Sequence, residues 1–218
     1  MPLLVVVAGP NGSGKATLVG GGVLEQVLRP PWIGRDEGEN PAGGAPPMTR
    51  INPDDLAREL AGGGQPTPEH SLRAAQASDA LLDAEIAAGR PVLVETALSS
   101  DKLQRRVLAA KAAGYAVALV YVTLRHEALN VARVALRHAG GGHDVPRDRI
   151  LDRRARSHAR FGWFAERADF VAVFENSAEP VCAALRSGGR WWLGRLDLLP
   201  PDLAAAVEAA ASGAAPEP

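Results

Sequence analysis

The sequence predicts an α/β fold, three-layer α/β/α on a mostly parallel sheet, and three observations predict it. Apolar runs alternate with longer helical stretches over most of the 218 residues, the pattern of parallel strands covered by helices on both faces. The first run, Leu3-Leu4-Val5-Val6-Val7-Ala8, feeds a glycine-rich turn, Gly9-Pro10-Asn11-Gly12-Ser13-Gly14-Lys15. A hydrophobic content of 46% is enough for one sizeable core, so a single domain is expected.

After the turn, Lys15-Ala16-Thr17-Leu18-Val19 starts a helix that Val23-Leu24 and Val27-Leu28 can continue, although Gly20-Gly21-Gly22 weaken it. Residues 33–47, rich in Gly, Pro and charge, read as an inserted loop. Further strands are expected at Met48–Asn52, Pro91–Glu95, Tyr115–Leu124 and Asp169–Phe174, and helices at Pro53–Ala61, Pro68–Ala88, Asp101–Ala113, Arg125–His138 and Pro146–Glu166. Asn52-Pro53 and Ser99-Ser100-Asp101 offer N-terminal caps, and Gly89 and Gly114 end two helices. Val181–Leu185 and Trp191-Trp192-Leu193 flank a Gly-Gly turn as an edge hairpin, the first arm being readable also as a short helix. Trp191 and Trp192 read as packing residues. The expected organisation is one domain over residues 1–200, with a lid region at 133–157, then a C-terminal helix and frayed tail over 201–218.

The turn matches a phosphate-binding loop, Gly, four residues, Gly, Lys and then Ser or Thr, except that residue 16 is Ala. Its glycines let backbone N–H groups fold around a polyphosphate, and the lysine reaches the outer phosphates. The absent hydroxyl is the one that would hold Mg²⁺ beside a nucleotide. Thr17 lies one residue along, turned about 100° around a helix axis, so water or Asp54 remain for that coordination position. Lysine occurs only at positions 15, 102 and 111 among 24 Lys and Arg, so an arginine-biased chain keeps lysine where a compact ammonium is needed.

Ligands of open α/β sheets bind outside the carboxyl ends of the strands, and three polar groups stand there. Asp54 and Asp55 follow the second strand, either as acids at a helix start or as carboxylates that accept an acceptor's proton or help to hold Mg²⁺. Glu95 and Thr96 end the third strand; a glutamate closing an apolar strand is either solvated or partnered by a substrate hydroxyl, an arginine or metal-bound water. The third group is the arginine segment, with Arg133, Arg137 and Arg154 among seven arginines around Gly140-Gly141-Gly142. Such a segment is a solvated face or a hinged lid of cations over ATP. His138 and His143 lack the cysteines or acids that would complete a metal site, so no side chain is assigned as a resident metal ligand.

Net charge −1 and a pI near 6.5 give no global attraction to nucleic acid or to an anionic membrane. Cys182 is the only cysteine, which excludes an internal disulfide and fits a cytoplasmic protein. No basic segment precedes the first strand and no apolar run is long enough to span a bilayer. The lack of a Leu-Ser-Gly-Gly signature or of an Asp-Glu pair closing an apolar strand argues against an ABC-type ATPase.

From residue 3 to about residue 177 the ordered motifs resemble the zeta-toxin family of P-loop kinases, with its relatives of the UDP-N-acetylglucosamine kinase type. The resemblance rests on the loop; Ile51-Asn52-Pro53-Asp54; Glu95-Thr96-Ala97-Leu98-Ser99; Ala113-Gly114-Tyr115; Tyr121-Val122-Thr123-Leu124; Arg133-Val134; Gly141 to Pro146; Arg153-Arg154; Arg156-Ser157; and Glu175-Asn176-Ser177. It implies a nucleotide-kinase-like P-loop core with a helical lid, and transfer of the ATP or GTP γ-phosphoryl group to an alcohol, with Mg²⁺. Asp54 is then the catalytic base, assisted by Lys15, Arg133 and Arg137. Gly9, Pro10, Asn11, Gly12, Ser13, Gly14, Lys15, Ala16, Thr17, Arg154 and Asn176 are assigned to the nucleotide, and Glu95, Thr96 and Asp55 to the acceptor. The family's known toxins phosphorylate a UDP-activated amino sugar, which makes such a sugar an implied acceptor and an antitoxin an implied partner. Glu175 replaces the usual Asp. The second reading, favoured by Ala16, is a nucleotide-binding protein with little catalysis.

Overall fold

The computed structural model describes residues 1–22, 48–139 and 145–213. Its strands are β1 Leu3–Ala8, β2 Thr49–Ile51, β3 Val92–Thr96, β4 Ala116–Thr123, β5 Phe170–Glu175, β6 Val181–Ser187 and β7 Arg190–Leu193. They form one sheet in the order β2-β3-β1-β4-β5-β6-β7. The first five pair in parallel, and the last two add an antiparallel hairpin at one edge. The helices are α1 Lys15–Gly20, α2 Pro53–Leu60, α3 Pro68–Ala87, α4 Lys102–Ala112, α5 Glu127–Ala139, α6 Arg147–Arg167 and α7 Pro201–Ser212.

Strands buried on both faces read in sequence as unbroken apolar runs, and β1, β4 and β5 are buried at every position. Alternation divides their side chains between two cores. Leu4, Val6, Val117, Leu119, Tyr121 and Val173 pack on one face against Ile86 of α3, Val107 of α4, Phe161 of α6 and Leu203 of α7. Leu3, Val5, Val7, Val120 and Phe174 face the other way, with Leu18 of α1 among their neighbours. Each such residue contributes about 1.5–3 kcal/mol when fully buried, so the sheet centre is the rigid base on which the loop after β1 rests.

Helix boundaries follow local chemistry. The Asn52 side chain accepts the N–H of Asp54 at 3.0 Å, with Pro53 in the first turn of α2. Thr67 and His70 form a reciprocal cap on α3. After α3 and α4, Gly89 and Gly114 have φ of 68° and 78° and allow the N–H groups of Arg90 and Tyr115 to reach back to the carbonyls of Glu85 and Ala110. The Tyr115 hydroxyl lies 2.9 Å from the carbonyls of both Glu85 and Arg90, pinning the end of α3 to the start of β4.

The expected strands and the helices from α2 to α6 lie within two residues of those observed. Three details add to that picture. The α1 segment turns at Gly21, whose N–H bonds the Thr17 carbonyl, and the expected continuation through Val23 to Leu28 lies outside the described residues, as do the 33–47 loop, 140–144 and 214–218. Asp101 occupies the cap position of α4 without a side-chain hydrogen bond. Val181–Ser187 is a strand, because β5 offers it a free edge to pair with. Of the two tryptophans, Trp191 packs against the core and Trp192 is half exposed near the Arg190 guanidinium.

The C-terminal helix belongs to the main core, since Leu203 and Val207 are completely buried within it. Leu203→Ala should cost about 2–5 kcal/mol. Denaturant unfolding followed by two probes should show one transition shifted as a whole; a separate early transition would mean that α7 is an independent unit.

Candidate active site

The chain leaves β1 on one side to form β2 and β3 and crosses to the other to form β4. That reversal opens a crevice at the carboxyl end of β1, where the loop 9–14 lies. Gly14 has φ of 88°, and a Cβ there would stand 2.3 Å from Nδ2 of Asn176, so only glycine lets that amide approach. Asn176 Nδ2 donates to the Ser13 carbonyl at 2.8 Å, and Asn130 Nδ2 donates to the Asn11 carbonyl at 2.8 Å. In a trans peptide the C=O and the following N–H point in opposite directions. Two carbonyls drawn outward by asparagines therefore aim the Gly12 and Gly14 N–H groups away from those asparagines, as an anion nest requires.

Lys15 begins α1, and its ammonium donates to the Gly9 carbonyl at 2.7 Å and the Pro10 carbonyl at 3.1 Å. Burial lowers its pKa to about 8, against the opposing charges of Asp54 and Glu95. Arg137 adds a smaller push in the same direction as burial.

A cavity of about 680 Å³ extends from the loop to the start of α2 and the end of β3. Asn11, Gly12, Gly14, Lys15, Ala16 and Thr17 line it from the loop side, with Asn176 beside them. Asp54, Glu95 and Thr96 face it from α2 and β3, and Arg133 and Arg137 from α5. Gly9, Pro10 and Ser13 lie behind the loop: the first two hold the Lys15 ammonium and Ser13 is completely buried.

Two assigned residues stand elsewhere. Asp55 pairs with Arg58 and does not line the cavity, being turned around α2 from Asp54. Arg154 is buried, donating Nε to Asn130 Oδ1 at 3.2 Å and Nη2 to the Leu124 carbonyl at 2.9 Å. Its neighbour Arg153 lines the cavity instead, as do Arg58 and Asn52. The signal was the apolar stripe of α6: Arg154 lies four residues after the buried Ile150 and seven before Phe161, and Arg153 lies off that face. Asn130 carried a signal: it lies four residues before the buried Val134, on the face that should be apolar.

Glu95 is buried, and its Oε1 accepts from Arg50 Nη2 at 2.6 Å and Nε at 3.0 Å. Both bonds go to one oxygen. The carboxylate that needed a partner thus finds the arginine of the adjacent strand. Thr96 Oγ1 accepts the N–H of Leu98 at 3.0 Å, closing a turn in which Leu98 adopts φ of 54°. A left-handed non-glycine residue costs about 1 kcal/mol or more. Burial of the Leu98 side chain offsets that cost.

The arginines are held differently. Arg133 donates to the Ser177 carbonyl at 2.9 Å. Arg137 pairs with Asp54 Oδ2 at 3.1 Å across the cavity mouth, with side-chain exposures of 43% and 63%. A pair so exposed contributes about 0–1 kcal/mol, so an arriving phosphate can replace the Asp54 carboxylate on Arg137. Glu175, buried at the end of β5, accepts from the N–H groups of Arg125 and Ser177 at 2.9 Å each and fixes the turn that carries Asn176. Among the described residues no three His, Cys, Asp or Glu side chains group as a metal site, and His143 lies outside them.

A family model described as an AAA domain (AAA_33) matches residues 4–160. The chain belongs to that AAA domain family. No curated protein matches it by sequence. Among solved structures it is similar to a chain of AvrRxo1-ORF1:ORF2 with ATP, with TM-score 0.65 and 17% identity over 91% of this chain and 62% of the other. The chain therefore spans about three fifths of that relative's length. It is also similar to a chain of the PezAT chromosomal toxin–antitoxin system of Streptococcus pneumoniae, with TM-score 0.56 and 15% identity over 83% and 71%. A third likeness is to the Pnkp1/Rnl/Hen1 RNA repair complex, with TM-score 0.51 and 19% identity over 72% and 44%. The fold of this family member is thus shared with chains of AvrRxo1-ORF1:ORF2 and of the PezAT system. No helix among the described residues is long and apolar enough to cross a membrane.

The Lys15 titration gives a prediction with a definite sign. An anion needs the charged ammonium, so ATP affinity should fall as pH rises through about 8, by about tenfold one unit above it. Stability should move oppositely. From about 8 to 10.5 the unfolded chain holds the more protons, so this group's contribution rises with pH. Calorimetric ATP titrations from pH 7 to 9.5 should show the loss, and Lys15→Met should remove it; equal slopes in both proteins would assign the dependence to another group.

Proposed function

We propose that the protein is an ATP- or GTP-dependent kinase that transfers the γ-phosphoryl group to a hydroxyl of a small molecule. The observation that carries this reading is the meeting, in one cavity, of a phosphate-loop lysine, two lid arginines, an aspartate and a glutamate–threonine strand end. Phosphoryl transfer consists mainly of positioning and charge stabilisation, and these groups supply both.

In this reading the loop and Lys15 hold the β- and γ-phosphates, and the acceptor lies toward Glu95 and Thr96. Among the described residues Glu95 Oε2 makes no hydrogen bond, since Arg50 uses only Oε1. Asp54, released from Arg137, takes the proton of the acceptor hydroxyl as its oxygen attacks the γ-phosphorus. The bond to the bridging oxygen breaks and the nucleoside diphosphate leaves. Arg133 and Arg137 stabilise the charge on the moving group.

Mg²⁺ favours hard oxygen ligands and enters such sites with the phosphates, keeping several waters. The cavity fits that mode: Ala16 offers no hydroxyl and Thr17 is turned away from its place, so water or Asp54 would complete the ion's shell there. When bound, the ion neutralises phosphate charge. A UDP-activated amino sugar is the acceptor to test first, and an antitoxin-like protein is the proposed partner, because one chain of similar fold comes from a toxin–antitoxin system. The second reading, a nucleotide-binding protein with weak catalysis, is favoured by Ala16 and by the pairing of Asp54 with Arg137.

Labelled ATP, Mg²⁺ and a panel of UDP-sugars test the reaction directly. With a confirmed acceptor, Asp54→Asn should lower turnover about a hundredfold or more and change nucleotide affinity much less. Full turnover in that variant would remove Asp54 as base. Ala16→Ser should lower the Mg²⁺ concentration needed for half-maximal rate or binding; no shift and no gain would show that another group already holds the ion or that the site performs no chemistry.

A further inference from the structure

We infer that Asn130 is a positioning residue of the phosphate loop and that Arg154 sets the orientation of its amide. The inference rests on the reading of the cavity as a nucleotide site.

Asn130 is completely buried in α5, where a carboxamide must find partners for both its ends. Its Nδ2 donates to the Asn11 carbonyl at 2.8 Å and its Oδ1 accepts from Arg154 Nε at 3.2 Å. A guanidinium can only donate, so the end of Asn130 that faces Arg154 must be the oxygen. The NH₂ end is thereby committed to Asn11. Arg154 is itself fixed by the Leu124 carbonyl at 2.9 Å, just beyond β4.

The helix backbone presses on the same part of the loop. Gly12 has φ of 76°, and a Cβ there would stand 2.7 Å from the Asn130 carbonyl. Asn130 therefore touches the loop twice, drawing the Asn11 carbonyl outward and leaving room only for glycine at residue 12. With that carbonyl fixed, the Gly12 N–H points the opposite way within the same peptide plane, and Gly12 lines the cavity. The segment that brings Arg153 and Arg137 to the cavity is thus joined to the loop by one oriented amide.

Asn130→Asp is nearly isosteric. It keeps an oxygen for Arg154 and turns a second oxygen against the Asn11 carbonyl. The unfolding midpoint without nucleotide should stay within a few degrees of the parent protein, and calorimetric MgATP affinity should fall about tenfold or more. The Asn11 and Gly12 amide resonances of the ligand-free protein should move. Arg154→Lys keeps the charge but removes Nε, and should give a smaller loss of the same kind; it decides the matter if Asn130→Asp does not fold. A folded variant with parental ATP affinity and unmoved Gly12 resonance would overturn the inference. If the parent protein binds no ATP, the nucleotide reading falls instead, and the ligand-free resonances still decide the role of Asn130.

Discussion

The outward pull on the Asn11 and Ser13 carbonyls is the constraint on which the rest of the site depends. A glycine-rich turn has many conformations, and only those with carbonyls turned out present a concave row of N–H donors. Asn130 and Asn176 select that state at 2.8 Å each. Each asparagine is in turn held by the sheet: Asn176 follows β5 through the turn that Glu175 fixes, and Asn130 is oriented by an arginine bonded at the end of β4. The apolar packing of β1, β4 and β5 is thus converted into a defined loop geometry at their common end.

Electrostatics builds on that geometry. Among the described residues five cations and two carboxylates line the cavity, Lys15, Arg58, Arg133, Arg137 and Arg153 against Asp54 and Glu95, although the whole chain has a net charge of −1. The cations are held by partners that a polyphosphate can outbid in strength. Lys15 rests on two carbonyls, Arg133 on one, and Arg137 on a half-exposed carboxylate. Glu95 differs, being buried and doubly bonded to Arg50. Cations that are easily redirected and an acid that stays fixed suit a site in which phosphate arrives and an acceptor must be oriented.

Much of this was legible in the sequence because it rests on local patterns. A continuously apolar strand before a glycine turn located the loop, and Asn52-Pro53 located the start of α2 and so Asp54. Glu95 at the end of an apolar strand called for a partner, and an arginine was among those anticipated. Which arginine was not legible, because Arg50 reaches Glu95 only through the pairing of β2 with β3. Arg154 was legible as a buried residue from its place on the stripe of Ile150 and Phe161, whereas Arg153, one residue away and rotated off that stripe, lines the cavity. Asp55 was separated from Asp54 by the same rotation. Asn130 was the detectable omission, a polar residue on the apolar stripe of α5 where an unpaired amide would be costly.

Calorimetric titration of MgATP into the parent protein and into Gly14→Val, side by side, tests the central claim most directly. Residue 14 has φ of 88° and its Cβ would meet the Asn176 amide at 2.3 Å, so the variant cannot keep the loop and its asparagine clamp together. If the clamped loop is the nucleotide site, the parent protein binds and the folded variant does not. Equal affinity in both, or no binding by the parent, would contradict it.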